Sequence, residues 1–276
     1  MNSMRELKGI FFRELGQGMP LIAVHGWTFD HQHMMGALEP CFRGRENWRR
    51  IYLDLPGHGR SPKQEWMTSM DDMLQVILGF IDGFMANERF AIAGMSTGAY
   101  LARGVVKRKQ AQSAGLLLFA PRMVAYEKDR TVPSMTTLVE DPELMSQLGE
   151  ADAEVLQQNA VVQSPAFMEK LREEIFPAWE AADMDFLAPF GEESRWAISF
   201  DVDDLPEPLR SPVLIVTGRQ DAAVGYRDAW RIVENFPRGT FAVLDRAGHG
   251  LEVEQMGLFQ ALVSEWLDRV EENESV

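Results

Sequence analysis

The chain has 276 residues, of which 46% are hydrophobic, and its formal net charge is −15. This length and composition can build one large core, or one domain with an insertion. The acidic balance argues against nucleic acid and anionic membrane surfaces as partners.

Cysteine content and hydropathy bear on the compartment. Cys41 is the single cysteine, which excludes an internal disulfide framework and is typical of a reducing cytoplasm. Residues 1–9 carry charges and no apolar run, so we expect no secretory signal. No stretch approaches the ~18 apolar residues of a membrane span. We therefore expect a cytoplasmic protein without a membrane span.

The first half of the chain alternates apolar strands with helices. Residues 7–15 predict one or two edge strands, and residues 21–24 predict an apolar strand that suits a parallel sheet covered on both faces. The next predicted elements are a helix over 30–38 with Asp30 as its N-cap, a strand over 48–53, an amphipathic helix over 70–85, a strand over 90–93 with a helix after it, and a strand over 115–120.

The pattern changes after Pro121. Residues 122–208 contain no apolar strand, and their helical patches are separated by prolines, which predicts a mostly helical insertion. The alternation then resumes, with a strand over 213–217, a helix over 226–236, a strand over 240–244 and a last helix over 255–270. Strands that alternate with helices predict a parallel sheet with helices on both faces.

Residues 91–100 predict a buried strand, a sharp turn that carries Ser96, and the start of a helix. Gly94 and Gly98 flank Ser96 at two residues on either side, where glycine avoids the clash that such a turn creates. Gly-x-Ser-x-Gly is the pattern of a nucleophile elbow. The pattern also arises by chance, so its weight comes from the strand–turn–helix context.

Asp221 and His249 each follow a predicted strand, as Ser96 does. The carboxyl ends of parallel strands meet at one edge of the sheet, so these side chains should be neighbours. A serine nucleophile needs an adjacent base, and the base needs an acid that orients it. We expect Ser96 as nucleophile, His249 as base and Asp221 as acid, with Asp245 and Glu252 as the nearest competitors of Asp221. The alternatives are a helix N-cap for Asp221 and a turn histidine for His249.

Backbone N–H groups next to the nucleophile can stabilise an oxyanion. The candidates are the N–H of Thr97, at a predicted helix N-terminus, and the N–H of Trp27, which follows a predicted strand. The remaining histidines lack a strong catalytic or metal-binding pattern: His25, His31, His33 and His58. We expect no metal and no cofactor.

Taken in order, these motifs resemble those of the α/β-hydrolase superfamily. The likeness covers about residues 7–121 and 211–270 and is carried by residues 24–27, 54–61, 94–99, 218–221 and 248–249. It implies a mostly parallel eight-stranded sheet flanked by helices, with residues 1–121 and 209–276 as the core domain and residues 122–208 as a helical cap. It also implies the triad Ser96, Asp221 and His249 and an oxyanion hole of Trp27 and Thr97.

Two positions depart from the common pattern of that superfamily. Met95 replaces the histidine, tryptophan or glutamine common before the serine, and Trp27 is bulky at the oxyanion strand end. Ser96 stands where haloalkane dehalogenases and epoxide hydrolases of this fold carry aspartate, which argues against both activities.

The predicted cap is rich in methionine and aromatic residues, although most of these are expected to pack the cap onto the sheet. The others should line an apolar pocket with few polar anchors. The candidate substrate-binding residues are Trp27, Met95, Met135, Phe167, Trp179, Phe186 and Trp196. Such a pocket favours a small to medium, largely apolar ester or lactone, cleaved through an acyl-enzyme.

Other functions use the same residues. A triad of this kind serves carbon–carbon bond hydrolases, amidases, acyltransferases and cofactor-free perhydrolases, and the fold also serves ligand receptors with slow or no turnover. The expected partner is a small-molecule substrate, with no nucleic acid, and the expected assembly is a monomer or homodimer.

Overall fold

The computed structural model describes residues 2–191 and 195–274. Within them, eight strands form one sheet in the order β1-β2-β4-β3-β5-β6-β7-β8. The strands are β1 Asn2–Leu7, β2 Ile10–Gly16, β3 Met19–Val24, β4 Trp48–Leu53, β5 Phe90–Met95, β6 Ser113–Phe119, β7 Val213–Gly218 and β8 Gly239–Leu244.

The sheet is mostly parallel, with one antiparallel edge. β2 runs antiparallel to both β1 and β4, while the neighbours from β4 to β8 are parallel. β1 and β2 form a hairpin whose two turn residues, Lys8 and Gly9, have φ angles of 53° and 76°. Positive φ at both positions is the geometry that matches the twist of a tight hairpin. The predicted fold class, an eight-stranded mostly parallel sheet flanked by helices, is confirmed.

Helices follow most strands. Before β7 they are α1 His31–Leu38, α2 Met70–Met85, α3 Thr97–Lys109, α4 Pro142–Gln147, α5 Glu150–Asn159, α6 Pro165–Lys170, α7 Phe176–Ala181 and α8 Met184–Leu187. After β7 they are α9 Tyr226–Trp230, α10 Leu251–Glu254 and α11 Met256–Glu274. Among the described residues, no helix has the length and hydropathy that crossing a membrane requires.

Two apolar layers cover the sheet because successive side chains of a strand point to opposite faces. Ile22 and Val24 pack with residues of α2 and α3 on one face. Leu21 and Ala23 pack with residues of α1 and α11 on the other face. Both faces of β3 are therefore buried, as its continuous apolar sequence predicts.

The predicted helix over residues 226–236 is shorter in the structure, where α9 ends at Trp230. The carbonyl of Asn235 accepts a hydrogen bond from the N–H of Leu209, and the Asn235 side chain donates to the carbonyl of Asp203. The second half of this segment contains a short 3-10 helix, Val233–Asn235, in which the N–H groups of Asn235 and Phe236 donate to carbonyls three residues earlier. Local periodicity reveals neither this tighter turn nor the tertiary contacts of Asn235.

Residues between β6 and β7 form short helices, α4 to α8, on the carboxyl side of the sheet. Two of these helices start at proline, α4 at Pro142 and α6 at Pro165, because proline fits the first helical turn. A small apolar cluster within this region, which includes Phe167, packs against Phe29 and Val253. This contact brings the helical region over the loops that follow β3 and β8.

Candidate active site

Ser96 lies at the junction of β5 and α3, with φ of 50° and ψ of −115°. Positive φ is uncommon for a residue with a Cβ, and strained backbone of this kind clusters at functional sites. The Ser96 carbonyl accepts hydrogen bonds from the N–H groups of Ala99, Tyr100 and Arg122, which hold the turn in place. The serine side chain is partly exposed at the carboxyl end of β5.

Gly98 marks the closest approach of α3 to β3. A Cβ on Gly98 would lie 2.1 Å from the Val24 carbonyl oxygen and 2.5 Å from that of His25. We expect Gly98→Ala to lower the free energy of unfolding by about 3 kcal/mol, because backbone rather than a flexible side chain must move. Urea denaturation followed by tryptophan fluorescence measures this change.

The control for that measurement is Gly257→Ala. A Cβ on Gly257 would meet nothing within 4 Å, and the position lies in the first turn of α11. We expect this variant to be unchanged or more stable by up to about 1 kcal/mol. Equal stability of the two variants would contradict the close packing of α3 against β3.

Asp221 and His249 lie in the loops after β7 and β8. His249 Nδ1 is 3.0 Å from Asp221 Oδ2, and the Asp221 side chain is 1% exposed. The other carboxylate oxygen, Oδ1, accepts hydrogen bonds from the N–H groups of Ala223 and Val224 at 2.8 and 2.9 Å. The loop backbone therefore orients the carboxylate, and the carboxylate orients the imidazole.

The charge on His249 depends on this pairing. Burial disfavours the imidazolium, but the negative charge and hydrogen bond of Asp221 outweigh burial and raise the pKa of His249 above its ordinary value. Neither sequence competitor of Asp221 occupies its place. Asp245 is exposed and accepts a hydrogen bond from Gln220, and Glu252 contacts His33.

The two candidate oxyanion donors approach the serine from different elements. Thr97 is the first residue of α3, so its N–H is one of those that a helix leaves without an internal partner. Trp27 follows Gly26 in the turn after β3, and a Cβ on Gly26 would lie 3.3 Å from the Ser96 Cβ. The turn after β3 thus passes directly beside the serine.

Glu254 links the loop of His249 to the helical region. Its Oε2 accepts from the N–H of Gly248 at 2.6 Å, and its Oε1 accepts from the N–H groups of Val161 and Val162 at 2.6 and 3.1 Å. Burial raises the pKa of Glu254 to about 7, although the three hydrogen bonds act to lower it. Sequence patterns did not single out Glu254, because a carboxylate that binds backbone N–H groups has no periodic signature.

We expect Glu254→Ala to destabilise the fold by about 3 kcal/mol at low pH, because three N–H groups lose their acceptor. A raised carboxyl pKa means that the folded state binds this proton more tightly than the unfolded state. The stability contributed by Glu254 is therefore greatest below the ordinary carboxyl pKa and declines as the pH rises through about 7. The difference in unfolding free energy between wild type and variant should shrink between about pH 5 and about pH 8.

Urea denaturation at both pH values measures this difference. Glu154→Ala is the matched control, because Glu154 is exposed and its loss should give the same small difference at both pH values. A wild-type advantage over Glu254→Ala that grows with pH would contradict the raised pKa of Glu254.

A pocket with an empty volume of about 450 Å³ opens beside His249. Its wall includes three of the predicted substrate-binding residues, Met95, Phe167 and Trp179. Met95, the residue before Ser96, contributes to the wall beside His249, and Phe167 and Trp179 contribute to it from the helical region.

The other predicted pocket residues lie outside this wall. Trp27 contacts Trp196 edge-on, with ring centroids 4.7 Å apart, and also contacts Phe190 at 5.7 Å. Phe190 in turn contacts Phe186 at 5.3 Å. These rings form a separate aromatic group around a candidate oxyanion donor. Met135 is half-buried in the irregular segment between β6 and α4, away from the wall of the 450 Å³ pocket.

Two further histidines bind loop backbone. His25 Nε2 accepts from the N–H of Leu55 at 2.9 Å, and its Nδ1 lies 2.7 Å from the Gly26 carbonyl. His58 Nδ1 lies 3.0 Å from the Pro56 carbonyl, and burial lowers the pKa of His58 to about 3. Both rings brace the loops after β3 and β4.

Asp30, His31 and Asp54 bring potential metal-ligand atoms within 4.8 Å of one another among the described residues. Their oxygens already hold the chain. Asp54 Oδ1 accepts from the backbone N–H of His31 and lies 2.9 Å from His31 Nδ1, while its Oδ2 accepts from the N–H of Arg60. Asp30 caps α1 by accepting from the N–H of Gln32. These hydrogen bonds hold the loop after β4 and the start of α1 in place, which is a structural role.

Comparison with known proteins adds three findings. The model of the family described as the alpha/beta hydrolase family matches residues 21–260. The chain is 24% identical over 262 residues to a pimeloyl-[acyl-carrier protein] methyl ester esterase of Legionella pneumophila (strain Paris), over 91% of this chain and 96% of that protein. The structure of the present chain is similar to that of an alpha/beta superfamily hydrolase from Oenococcus oeni PSU-1, with a TM-score of 0.88 and 22% identity. The match covers 98% of this chain and 99% of the Oenococcus chain.

Proposed function

This chain belongs to the alpha/beta hydrolase family and is a hydrolase, and from that premise we propose that it cleaves a carboxylic ester through an acyl-enzyme on Ser96. The observation that supports this most is the pairing of His249 with the buried Asp221, 3.0 Å apart, together with the positive φ of Ser96 at the carboxyl end of β5. A serine, a base and a buried acid are the groups that acyl transfer requires.

The proposed reaction has two halves. Ser96 Oγ attacks the ester carbonyl carbon while His249 Nε2 takes the hydroxyl proton, and Asp221 stabilises the imidazolium through Nδ1. The N–H groups of Trp27 and Thr97 hydrogen-bond the oxyanion of the tetrahedral intermediate. The C–O bond then breaks, His249 returns the proton to the leaving alcohol, and the acyl group remains on Ser96. Water hydrolyses that ester by the same steps.

The pocket beside His249 supports a small to medium substrate arm. Its walls carry the apolar side chains of Met95, Phe167 and Trp179. Methionine adapts to varied shapes, so the wall tolerates some variety of chains. The relative from Legionella pneumophila is named as a methyl ester esterase, which agrees with an ester as the bond cleaved here. In this proposal, residues 122–208 act as a cap that roofs the pocket.

The experiment is to incubate the protein with a small fluorophosphonate, measure its intact mass, and map the modified peptide. One adduct on Ser96 is expected, because only an activated serine attacks such a probe. A panel of esters, lactones and amides of graded size then identifies the bond. Lack of an adduct with several probe sizes, in protein shown to be folded, would contradict the proposal.

A further inference from the structure

The largely apolar pocket beside His249 contains a charged cluster that the proposed triad does not use. His33 of α1, Lys170 of α6 and Glu252 of α10 all line this pocket, together with Met95 and His249. Their side chains are 1%, 9% and 2% exposed, respectively. Charged groups are rarely buried without partners, because removing them from water is costly.

Glu252 has negative charge and spare hydrogen-bonding capacity. Its Oε1 lies 3.2 Å from His33 Nε2 and 3.4 Å from Lys170 Nζ, yet neither of its oxygens receives a well-aligned hydrogen bond from a described residue. Burial opposes ionisation, but the charge of Lys170 and the contact with His33 lower the pKa of Glu252 to about 2. The carboxylate is therefore an acceptor for a further donor.

His33 offers a second unused atom. Its ring stacks on Phe29, with centroids 4.6 Å apart and an interplanar angle of 22°, and its Nδ1 has no hydrogen-bond partner among the described residues. Burial, and then the charge of Lys170, lowers the pKa of His33. A neutral imidazole that turns its Nε2–H toward Glu252 presents Nδ1 as an acceptor.

The charges of Lys170 and Glu252 decide which polar group of a substrate the cluster could bind. Lys170 donates to Glu174 Oε2 at 2.6 Å and also faces Glu252. A substrate carboxylate would lie against the negative charge of Glu252, and a substrate ammonium would lie against Lys170. A hydroxyl group is neutral, donates one hydrogen bond and accepts others, so it fits a site that holds an acceptor beside a cation.

We propose that His33, Lys170 and Glu252 form a hydroxyl-binding site in the substrate pocket, so that the preferred ester carries a hydroxyl group remote from the bond cleaved. This inference rests on the proposed ester hydrolysis for its activity test. A purely structural role would be served as well by apolar residues, since replacing a buried ion pair with hydrophobic side chains is often neutral or stabilising.

Two series of substrates test the site. The first pairs methyl esters of ω-hydroxyalkanoic acids with the alkanoates in which a methyl group replaces the hydroxyl, at chain lengths graded by one methylene. The second pairs ω-hydroxyalkyl acetates with the matching alkyl acetates. At one chain length in one series, the hydroxyl member should have a kcat/KM at least about tenfold higher, because the buried polar atoms are left unpaired by the methyl analogue. Carboxylate and ammonium analogues should be poorer than the hydroxyl member.

Variants assign that preference to the cluster. The double variant Lys170→Met with Glu252→Leu should fold, and its kcat/KM ratio of hydroxyl to methyl substrate should fall below one. A ratio within one protein cancels any general loss of activity. Glu169→Gln is the control, because Glu169 is the exposed neighbour of Lys170 on α6 and its loss removes a charge without touching the pocket. Its ratio should equal that of the wild type.

The outcomes separate this inference from the proposed function. Labelling of Ser96 and hydrolysis of methyl acetate, with ratios near one in both series or an unchanged ratio in the double variant, would overturn the hydroxyl site alone. Absence of both labelling and hydrolysis would instead overturn the proposed function. Thermal shifts then decide the site, since ω-hydroxyalkanamides should stabilise the wild type more than alkanamides of equal size, and equal shifts would overturn it.

Discussion

Replacing Ser96 with alanine is expected to lower kcat for ester hydrolysis by roughly 10⁶-fold. Without the hydroxyl group no acyl-enzyme forms. His249 then has no serine proton to accept, and Asp221 has no imidazolium to stabilise. The fold should persist, because the hydrogen bonds that hold the turn involve the backbone carbonyl of Ser96 and not its side chain. Steady-state kinetics on the best ester of the panel, together with thermal denaturation, measures both quantities.

Ser134→Ala is the matched control, since Ser134 is exposed in the irregular segment before α4. This variant should keep wild-type kinetics and its fluorophosphonate adduct on Ser96. If Ser96→Ala retains kcat within about tenfold of the wild type, the covalent mechanism fails and another nucleophile must be sought.

Replacing Asp221 with asparagine is expected to lower kcat by roughly 10⁴-fold, with the fold intact. An amide oxygen can still accept from the N–H groups of Ala223 and Val224, as Asp221 Oδ1 does. The amide NH₂ group then faces His249 Nδ1, which favours the wrong tautomer and removes support for the imidazolium. Kinetics over a range of pH measures the effect.

The dependence of activity on pH gives a second prediction, which concerns the direction in which the acid limb of the profile moves. His249 must be neutral to accept the serine proton, so activity should fall as the pH drops through its pKa. Because Asp221 raises the pKa of His249 in the wild type, removing the carboxylate should move the acid limb of the residual activity to lower pH. A limb that moves to higher pH would contradict the assignment.

Asp245→Asn is the matched control for Asp221→Asn. Asp245 follows β8 in sequence but is exposed and accepts from the Gln220 side chain. Its loss should leave kcat and the acid limb unchanged. Near wild-type activity in Asp221→Asn, with a large loss in Asp245→Asn, would reverse the assignment of the acid.

Local sequence was sufficient where short-range interactions decide the structure. The predicted helix over residues 70–85 coincides with α2, Met70–Met85, because its apolar face is periodic and Ser69 and Asp72 form a capping box at its start. Beyond Trp230, where α9 ends, Asn235 accepts a hydrogen bond from the N–H of Leu209 and donates one to the carbonyl of Asp203. These partners are remote in sequence, and helical periodicity, which overestimated that element, does not reveal them.

The candidate site shows the same division. The proximity of Asp221 and His249 could be expected from strand order alone, because parallel strands bring their carboxyl ends to one edge. The wall of the pocket could not be expected in this way. Trp27 and Trp196 pack in a separate aromatic group, while Phe167 reaches the pocket. An aromatic side chain in a helical segment has no pattern that tells which neighbour it contacts.

The fold class and the order of most elements could be predicted from the sequence, because periodicity, turn residues and motif spacing act over a few residues. The same motifs suggested the triad of Ser96, Asp221 and His249, which stays a proposal. The acceptor role of Glu254 and the meeting of His33, Lys170 and Glu252 in one pocket follow only from the folded chain. Those contacts join segments far apart in the chain. Burial also strengthens the electrostatic interactions between the charged groups, and local sequence patterns do not show which groups are buried together.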